Sequence, residues 1–298
     1  MKRMITVTTE NSSQFYAAIA EASPDLVYAD AGWADPKAYR QLTDAAHAAG
    51  KRCGLRLPHI WREEAEGFFQ KKTEAVREAG FDRYLFRNIE GVCFFEEHSL
   101  LEGVEYALDH SIYVTNRDAA AMTLELLPDG GKGLAGMTCP LELNALELRV
   151  LTADVRDIFE ESFAASGPAG EGGTRTSEQV PEEKGMELVV YGRAPMMISA
   201  QCLKKTTGRC DGRPSVMVLE DRKGAGMPVI NCCRFCCNTI YNAVPAVLYD
   251  LPEETEAVGA CAYRYEFTDE TADEVRKILA GTWKPSAFTR GHFKKSVL

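Results

Sequence analysis

Short runs rich in β-branched and aromatic residues alternate along the chain with stretches whose apolar positions recur every three or four residues, and each change of period marks a new element. "ITVTT" (5–9) reads as a first strand, and Asn11 caps the helix after it, with Gln14 at the capping-box position. "DLVYAD" (25–30) is a second strand. Asp35 and Pro36 then open a helix with Tyr39, Leu42, Ala46 and Ala49 on one face, closed by Gly50. "RCGLRL" (52–57) precedes a helix carrying Ala65, Phe68, Phe69, Val76 and Ala79 and ending at Gly80. "RYLFRN" (83–88) is a fourth strand, and 104–116 a fifth strand or a close pair. Asn116 is placed to cap "RDAAAMTLELL". "GLAGMT" (133–138) is a sixth strand before the long helix "LNALELRVLTADVRDIFEESF". "MELVVYGR" (186–193) is a seventh, and "ACAYRYEF" (260–267) an eighth. The last is followed by a helix that starts at the capping box Thr271 to Glu274 and buries Val275, Ile278 and Leu279.

Eight β-α units predict an α/β protein, a TIM-like (β/α)8 barrel forming a single domain over 1–298, with a doubly wound open sheet as the rival architecture. Two stretches interrupt the pattern. The run 165–185 is rich in Gly, Ser, Pro and Glu and reads as a flexible excursion. A cysteine-rich insertion at 196–245 follows the seventh strand and contains a hairpin over 215–230 turning at "DRKGAG".

Composition narrows the function classes. With 298 residues, 45% of them hydrophobic and 26% charged, the chain can bury a sizeable core. A formal net charge of -10 argues against an overall electrostatic grip on nucleic acid or anionic lipid, though a local basic groove is compatible with it. The opening "MKRMITVTTENSSQ" turns polar too soon for a signal peptide, and no apolar run is long enough for a membrane span. A cytoplasmic location is expected, with no membrane partner, where thiols stay reduced and clustered cysteines point to metal or redox chemistry.

Six of the ten cysteines fall inside the insertion: Cys202, Cys210, Cys232, Cys233, Cys236 and Cys237. Taking Cys233 and Cys236 as the close pair gives C-x7-C-x22-C-x2-C. Four thiolates satisfy either a tetrahedral zinc or an iron-sulfur cluster, and spacing admits both. Buried unliganded cysteines are the alternative.

"YGRAPMMISAQC", "KKTTGRC", "DRKGAGMPVINCCRFCCNTIYN" and the ending "TRGHF" closely resemble the peptidase U32 family, the collagenase-like proteases; "FRNIEG", "YVTNRDAA" and "TCPLELNALEL" extend the resemblance over most of the chain. The resemblance implies a TIM-like barrel with the cysteines at its mouth. It places the ligand cysteines at Cys202, Cys210, Cys233 and Cys236, with Cys232 and Cys237 as adjacent extras. A 4Fe-4S cluster is the implied cofactor, with zinc as the alternative. Similar proteins take part in oxygen-independent hydroxylation of RNA bases or of the ubiquinone ring, some with prephenate as hydroxyl donor, and others are named peptidases. RNA or a small aromatic molecule is thus the implied substrate, and a non-catalytic subunit with a structural Zn(Cys)4 site is a further reading. The start of the chain lacks the family's customary Gly-Ala-Asp opening and looks like the later barrel half of longer U32 proteins, which implies a partner domain or subunit completing the site.

In a TIM barrel, reactive groups gather where strands end. The candidates are Arg87 and Asn88 after strand four, Asn116 after five, Glu142 and Asn144 after six, Gly192 and Arg193 after seven, and Arg264 and Glu266 on eight. Glu142 and Glu266 are the favoured catalytic groups with Arg264, because a carboxylate in an apolar strand end is costly unless partnered. A Glu-Arg ion pair closing the barrel is the structural alternative. Arg87, Asn116, Asn144 and Arg193 are the expected substrate-binding groups. Helix capping competes for both asparagines, and Arg193 and Arg264 are suited to fork a substrate carboxylate or phosphate. His47, His59, His98 and His110 lack metal-ligand spacing and read as surface or capping residues. His292 either follows the family ending or docks the tail. There is no H-E-x-x-H and no G-x-S-x-G, so proteolysis has no recognisable machinery.

Overall fold

Eight parallel strands close on themselves in the computed structural model, which describes residues 3–166 and 184–295. In chain order, β1 (Met4–Thr9), α1 (Ser12–Ala20), β2 (Leu26–Asp30), α2 (Tyr39–Ala48), β3 (Arg52–Arg56), α3 (Glu63–Ala79), β4 (Arg83–Phe86) and α4 (Ile89–Glu97) form the first half. β5 (Glu105–Leu108), α5 (Arg117–Leu126), β6 (Leu134–Thr138), α6 (Ala145–Ser166) and β7 (Gly185–Gly192) follow. After β7 the chain leaves the barrel for β8 (Pro195–Ser199), α7 (Leu203–Thr206), β9 (Ser215–Glu220), β10 (Gly226–Cys232) and β11 (Cys237–Tyr241). It returns through β12 (Ala246–Val247) and α8 (Pro252–Val258) to β13 (Ala262–Glu266) and α9 (Ala272–Leu279).

The barrel runs β1 to β7 and then β13, which pairs in parallel with both β7 and β1; β6 pairing with β7 completes the ring. That seam needs a glycine. A Cβ on Gly136 would lie 2.6 Å from the Gly185 carbonyl oxygen, so a side chain there would push the two strands apart. β12 adds a short antiparallel strand beside β7. The barrel settles the choice against an open sheet.

Each barrel strand is covered on both faces, which explains why the strands read as near-continuous apolar runs. Outward-facing side chains join the helices in one large core that includes Val27, Leu55, Phe86 and Leu188. Inside the barrel, Leu26, Tyr28, Leu85 and Ala107 make a separate small cluster. Buried charged groups adjoin it: Arg83 at the start of β4, and Glu187 and Arg264 within β7 and β13.

The predicted fifth strand, 104–116, is shorter than expected. It stops at Leu108, and a single 3-10 turn at His110–Ile112 with Tyr113 in the left-handed region (φ 58°) carries the chain across the mouth. β8, β11, β10 and β9 form a four-stranded antiparallel sheet. Its β9–β10 turn is tied by Asp221, which accepts from the amides of Lys223 (2.7 Å) and Ala225 (2.9 Å). Most of the run 165–185 lies outside the described residues. Among the described residues no helix is long and apolar enough to cross a membrane.

Candidate functional site at the barrel mouth

Period-two alternation sends every second strand residue into the barrel. At the strand ends this puts polar groups from different strands side by side. Asp30, last residue of β2, accepts from Arg56 Nε (2.7 Å), Arg87 (2.7 Å) and the Gly32 amide (2.6 Å). Arg56 also pairs with Glu10. Two guanidiniums thus face two carboxyl groups, all nearly inaccessible. Burial would raise the Asp30 carboxyl, but Arg87 and Arg56 outweigh it and hold it below its ordinary value.

A second cluster centres on Arg264 of β13. Arg264, wholly buried, donates to Asp109 Oδ1 (2.6 Å), Glu266 Oε1 (3.3 Å) and Thr138 Oγ1 (2.7 Å), and pairs with Glu187. Glu187 also accepts from Thr6. His110, in the turn after β5, sets Nε2 3.8 Å from Asp109 Oδ2 and 3.9 Å from Glu266 Oε2. Burial pulls the imidazole down, and Asp109 and Glu266 outweigh that pull, so His110 is held above its ordinary value. Asp109 is held far below the carboxylate range, since His110 and Arg264 overcome burial. His110 and Glu266 open onto a cavity of about 470 Å³ that is also lined by Leu141, Leu188, Leu248 and Phe293.

The cysteine sheet lies over the first cluster. Phe235 is 4% exposed and stacks on Phe69 of α3 (6.0 Å between centroids, 16°), while Arg234 donates to the Ala34 carbonyl (2.6 Å) and lies over the Phe68 ring (4.9 Å). The hairpin turn is therefore pinned to the barrel by the two residues between its cysteines. Cys232 and Cys237 are directly paired across β10 and β11, on one face of the hairpin. Cys232 reaches the loop after β2, where a Cβ on Gly32 would meet its Sγ at 2.6 Å, and both thiols line a crevice with Asp30, His59 and Arg87.

Cys233 and Cys236 occupy the 3-10 turn itself, with Cys236 left-handed (φ 48°). Their neighbourhood differs. Burial raises both thiols, and Cys202 and Cys210 act on both in the same direction, as charges within reach do. Cys202 is buried just before α7, and Cys210 is exposed in the loop after it. The Cys233 thiol donates to the Arg213 carbonyl of that loop (2.8 Å). Zinc bonds of about 2.3 Å would draw four sulfurs to within about 3.8 Å of one another. Among the described residues no three cysteine sulfurs lie within 4.8 Å of one another.

Arg264 and Glu266 meet in the second cluster. Glu142 does not join them: it lies exposed in the turn beyond β6, at the cavity rim, so the burial cost that marked it out does not arise. Arg87 is committed to Asp30 and to the Leu57 carbonyl, and Arg193 to Asp269 (2.9 Å) and to the carbonyls of Asn242 and Ala243. Arg264 is held by three carboxylates. Asn116 and Asn144 are helix caps: Asn116 accepts from Ala119 N (2.8 Å), and Asn144 from Leu146 N (2.9 Å) and Glu147 N (3.0 Å). Asn88 caps α4 and also donates to the Pro58 carbonyl (2.7 Å).

Of the histidines, His47 pairs with Asp82 (2.8 Å) near the surface and His98 ends α4 by contacting the Phe94 carbonyl (2.8 Å). His110 is a correction: it is buried among carboxylates. His59 is another, for its Nδ1 is buried without a hydrogen-bond partner, and burial and Arg87 hold it well below its usual value. His292 is exposed, and it lines the large cavity together with Phe293, which is buried. Asp30, Arg56, Asp109 and Glu187 went unselected by sequence reasoning, although each is a charged residue in or just after an apolar strand, the signal applied to Glu142 and Glu266.

No protein-family profile and no curated protein matches the chain. Several solved structures are similar to it. The YdjI aldolase from Escherichia coli K12 is 12% identical over 94% of this chain and 88% of its own, with a TM-score of 0.45. The U32 peptidase Mk0906 is 10% identical over 64% of this chain and 70% of its own, with a TM-score of 0.41. A Coccidioides immitis protein classed as a fructose-1,6-biphosphate aldolase is 15% identical, with a TM-score of 0.40; the match covers 62% of this chain and 64% of that protein, less than two thirds of its length.

Proposed function

We propose that this chain is a U32-type barrel protein that holds an iron-sulfur cluster on Cys202, Cys210, Cys233 and Cys236 and serves in oxygen-independent hydroxylation of an RNA base or a small aromatic molecule. The observation that carries the reading is the division of the CCRFCC run into two sets. Cys233 and Cys236 share their surroundings with Cys202 and Cys210, whereas Cys232 and Cys237 face the barrel. Bound by the first four, a cluster supplies one-electron chemistry beside the barrel mouth.

The chain's own residues supply the rest. The Phe235 and Arg234 anchors fix the cysteine turn against α3 and the loop after β2. The cavity of about 470 Å³ offers apolar walls for an aromatic ring and, at His110 and Glu266, polar groups to orient its substituents. Arg264 donates to one oxygen each of Glu266 and Asp109.

Purification without oxygen tests the cofactor. Stoichiometric iron and sulfide with a visible absorption band are expected in the native chain and in Cys232→Ala and Cys237→Ala, and their loss in Cys233→Ala and Cys236→Ala. A colourless protein carrying one zinc, or equal loss from both sets of variants, refutes the reading. Mass spectrometry of hydroxylated nucleosides and quinones from a deletion strain then tests the reaction. Peptide cleavage that survives loss of all four thiols would return the chain to the peptidases.

A further inference from the structure

The two charge clusters of the barrel are not alike. Around Asp30, two carboxyl groups meet two guanidiniums. Around Arg264, three carboxylates, Asp109, Glu187 and Glu266, meet a single guanidinium, so the buried cluster carries two negative charges in excess before His110 is counted and one with its imidazole protonated. Uncompensated charge of that size is expensive in a water-poor interior, and buried carboxylates in such a setting are paired or coordinate a metal.

The geometry shows where the compensating charge fits. Arg264 engages Asp109 through Oδ1 and Glu266 through Oε1. The remaining oxygens, Oδ2 and Oε2, are the ones that face His110 Nε2, at 3.8 and 3.9 Å. Those distances are too long for hydrogen bonds. One donor atom from each residue lies within 4.8 Å of the other two, and among the described residues no other trio of histidine, cysteine, aspartate or glutamate does so. A guanidinium that holds the outer oxygen of each ligating carboxylate is the arrangement that orients metal ligands from behind. His110 and Glu266 also line the large cavity, so a bound ion keeps an open side toward a substrate.

We infer that Asp109, His110 and Glu266 form a binding site for one divalent cation with nitrogen and oxygen donors, facing the barrel-mouth cavity and separate from the cysteine site. A divalent ion with neutral His110 brings the cluster to charge balance. Imidazole together with carboxylates suits manganese, iron or zinc, and the open face would polarise an oxygen atom of a molecule held in the cavity. The inference is independent of the iron-sulfur reading, because it uses no cysteine.

Manganese is the probe, since it prefers these donors to thiolates. Titration of the full chain with Mn2+, followed by electron paramagnetic resonance of the free ion, is expected to show one site per chain. Cys233→Ala with Cys236→Ala is expected to leave that site intact. His110→Ala and Glu266→Gln are each expected to weaken it about 10-fold or more, with circular dichroism confirming that both fold. In the unaltered protein, bound Mn2+ is expected to broaden the His110 ring resonances selectively, a readout that needs no variant. Absence of uptake at millimolar Mn2+, uptake abolished by the cysteine changes, or uptake indifferent to both His110→Ala and Glu266→Gln overturns the inference.

Discussion

Arg264 shows how much one side chain decides in the barrel. Its guanidinium is wholly buried and contacts Asp109, Glu187, Glu266 and Thr138, drawn from four strands or their ends. It pairs with all three carboxylates. Arg264→Met is therefore expected to cost about 3–5 kcal/mol, the usual loss when one partner of a buried ionic group is removed, read from urea unfolding at neutral pH. A loss under 1 kcal/mol would mean that water or protonation replaces the guanidinium easily. Both Arg264 and Glu266 are legible in "RYEFT", because a charged pair in an apolar strand needs partners. Their partners are not legible, for Asp109 and Glu187 are 155 and 77 residues from Arg264 in sequence.

At the scale of elements, the cysteine hairpin is held by its turn. Phe235 sits among Phe68 and Phe69, and Arg234 reaches the carbonyl oxygens of Ala31 and Ala34. Phe235→Ala removes a buried aromatic and is expected to cost about 3–5 kcal/mol, measured by denaturant unfolding. It is also expected to speed alkylation of Cys232 and Cys237 once the turn lifts from α3; unchanged labelling would show that β8 to β11 hold the sheet without it. The barrel strands and the helices α1, α2, α3, α5, α6 and α9 are legible because their period is local, whereas α4 is missed and α7 and α8 are too short to show one. The cap at Asn11, the left-handed close at Gly80 and the Thr271 capping box all occur where the chain spells them. The fifth strand is over-read, because "SIYV" continues a strand-like composition past the point where the backbone turns to place His110.

The barrel is closed by β6 meeting β7, and residues 289–293 lie at the cavity of its mouth. Thr289, Gly291 and Phe293 line the large cavity, and Arg290 and Lys284 grip Asp250 at the start of α8. Hydrogen bonding from Arg290, aided by Lys284, lowers the Asp250 carboxyl from its usual 3.8 to about 2. A depressed carboxylate contributes stability that is present above the unfolded value and lost as pH falls through the folded one. The stability gap between the native chain and Asp250→Asn is thus expected to be constant above pH about 5 and to close between about 4 and 2, followed by thermal unfolding. A gap that persists at pH 2 would assign the effect to packing.

The eight barrel strands in their order, several of the helices between them, and the crowding of cysteines after the seventh strand are legible in the sequence, because helical and extended periodicities and cap residues act over a few positions. Barrel closure was decided only in three dimensions, since periodicity does not say whether a first strand finds a last one. Tertiary structure also split CCRFCC into a barrel-facing pair and a turn pair, spent Arg87 and Arg193 on protein partners, and brought Asp109 and His110 to Glu266. Each of those outcomes depends on which strands become neighbours, and the free energy that selects neighbours is a property of the packed whole.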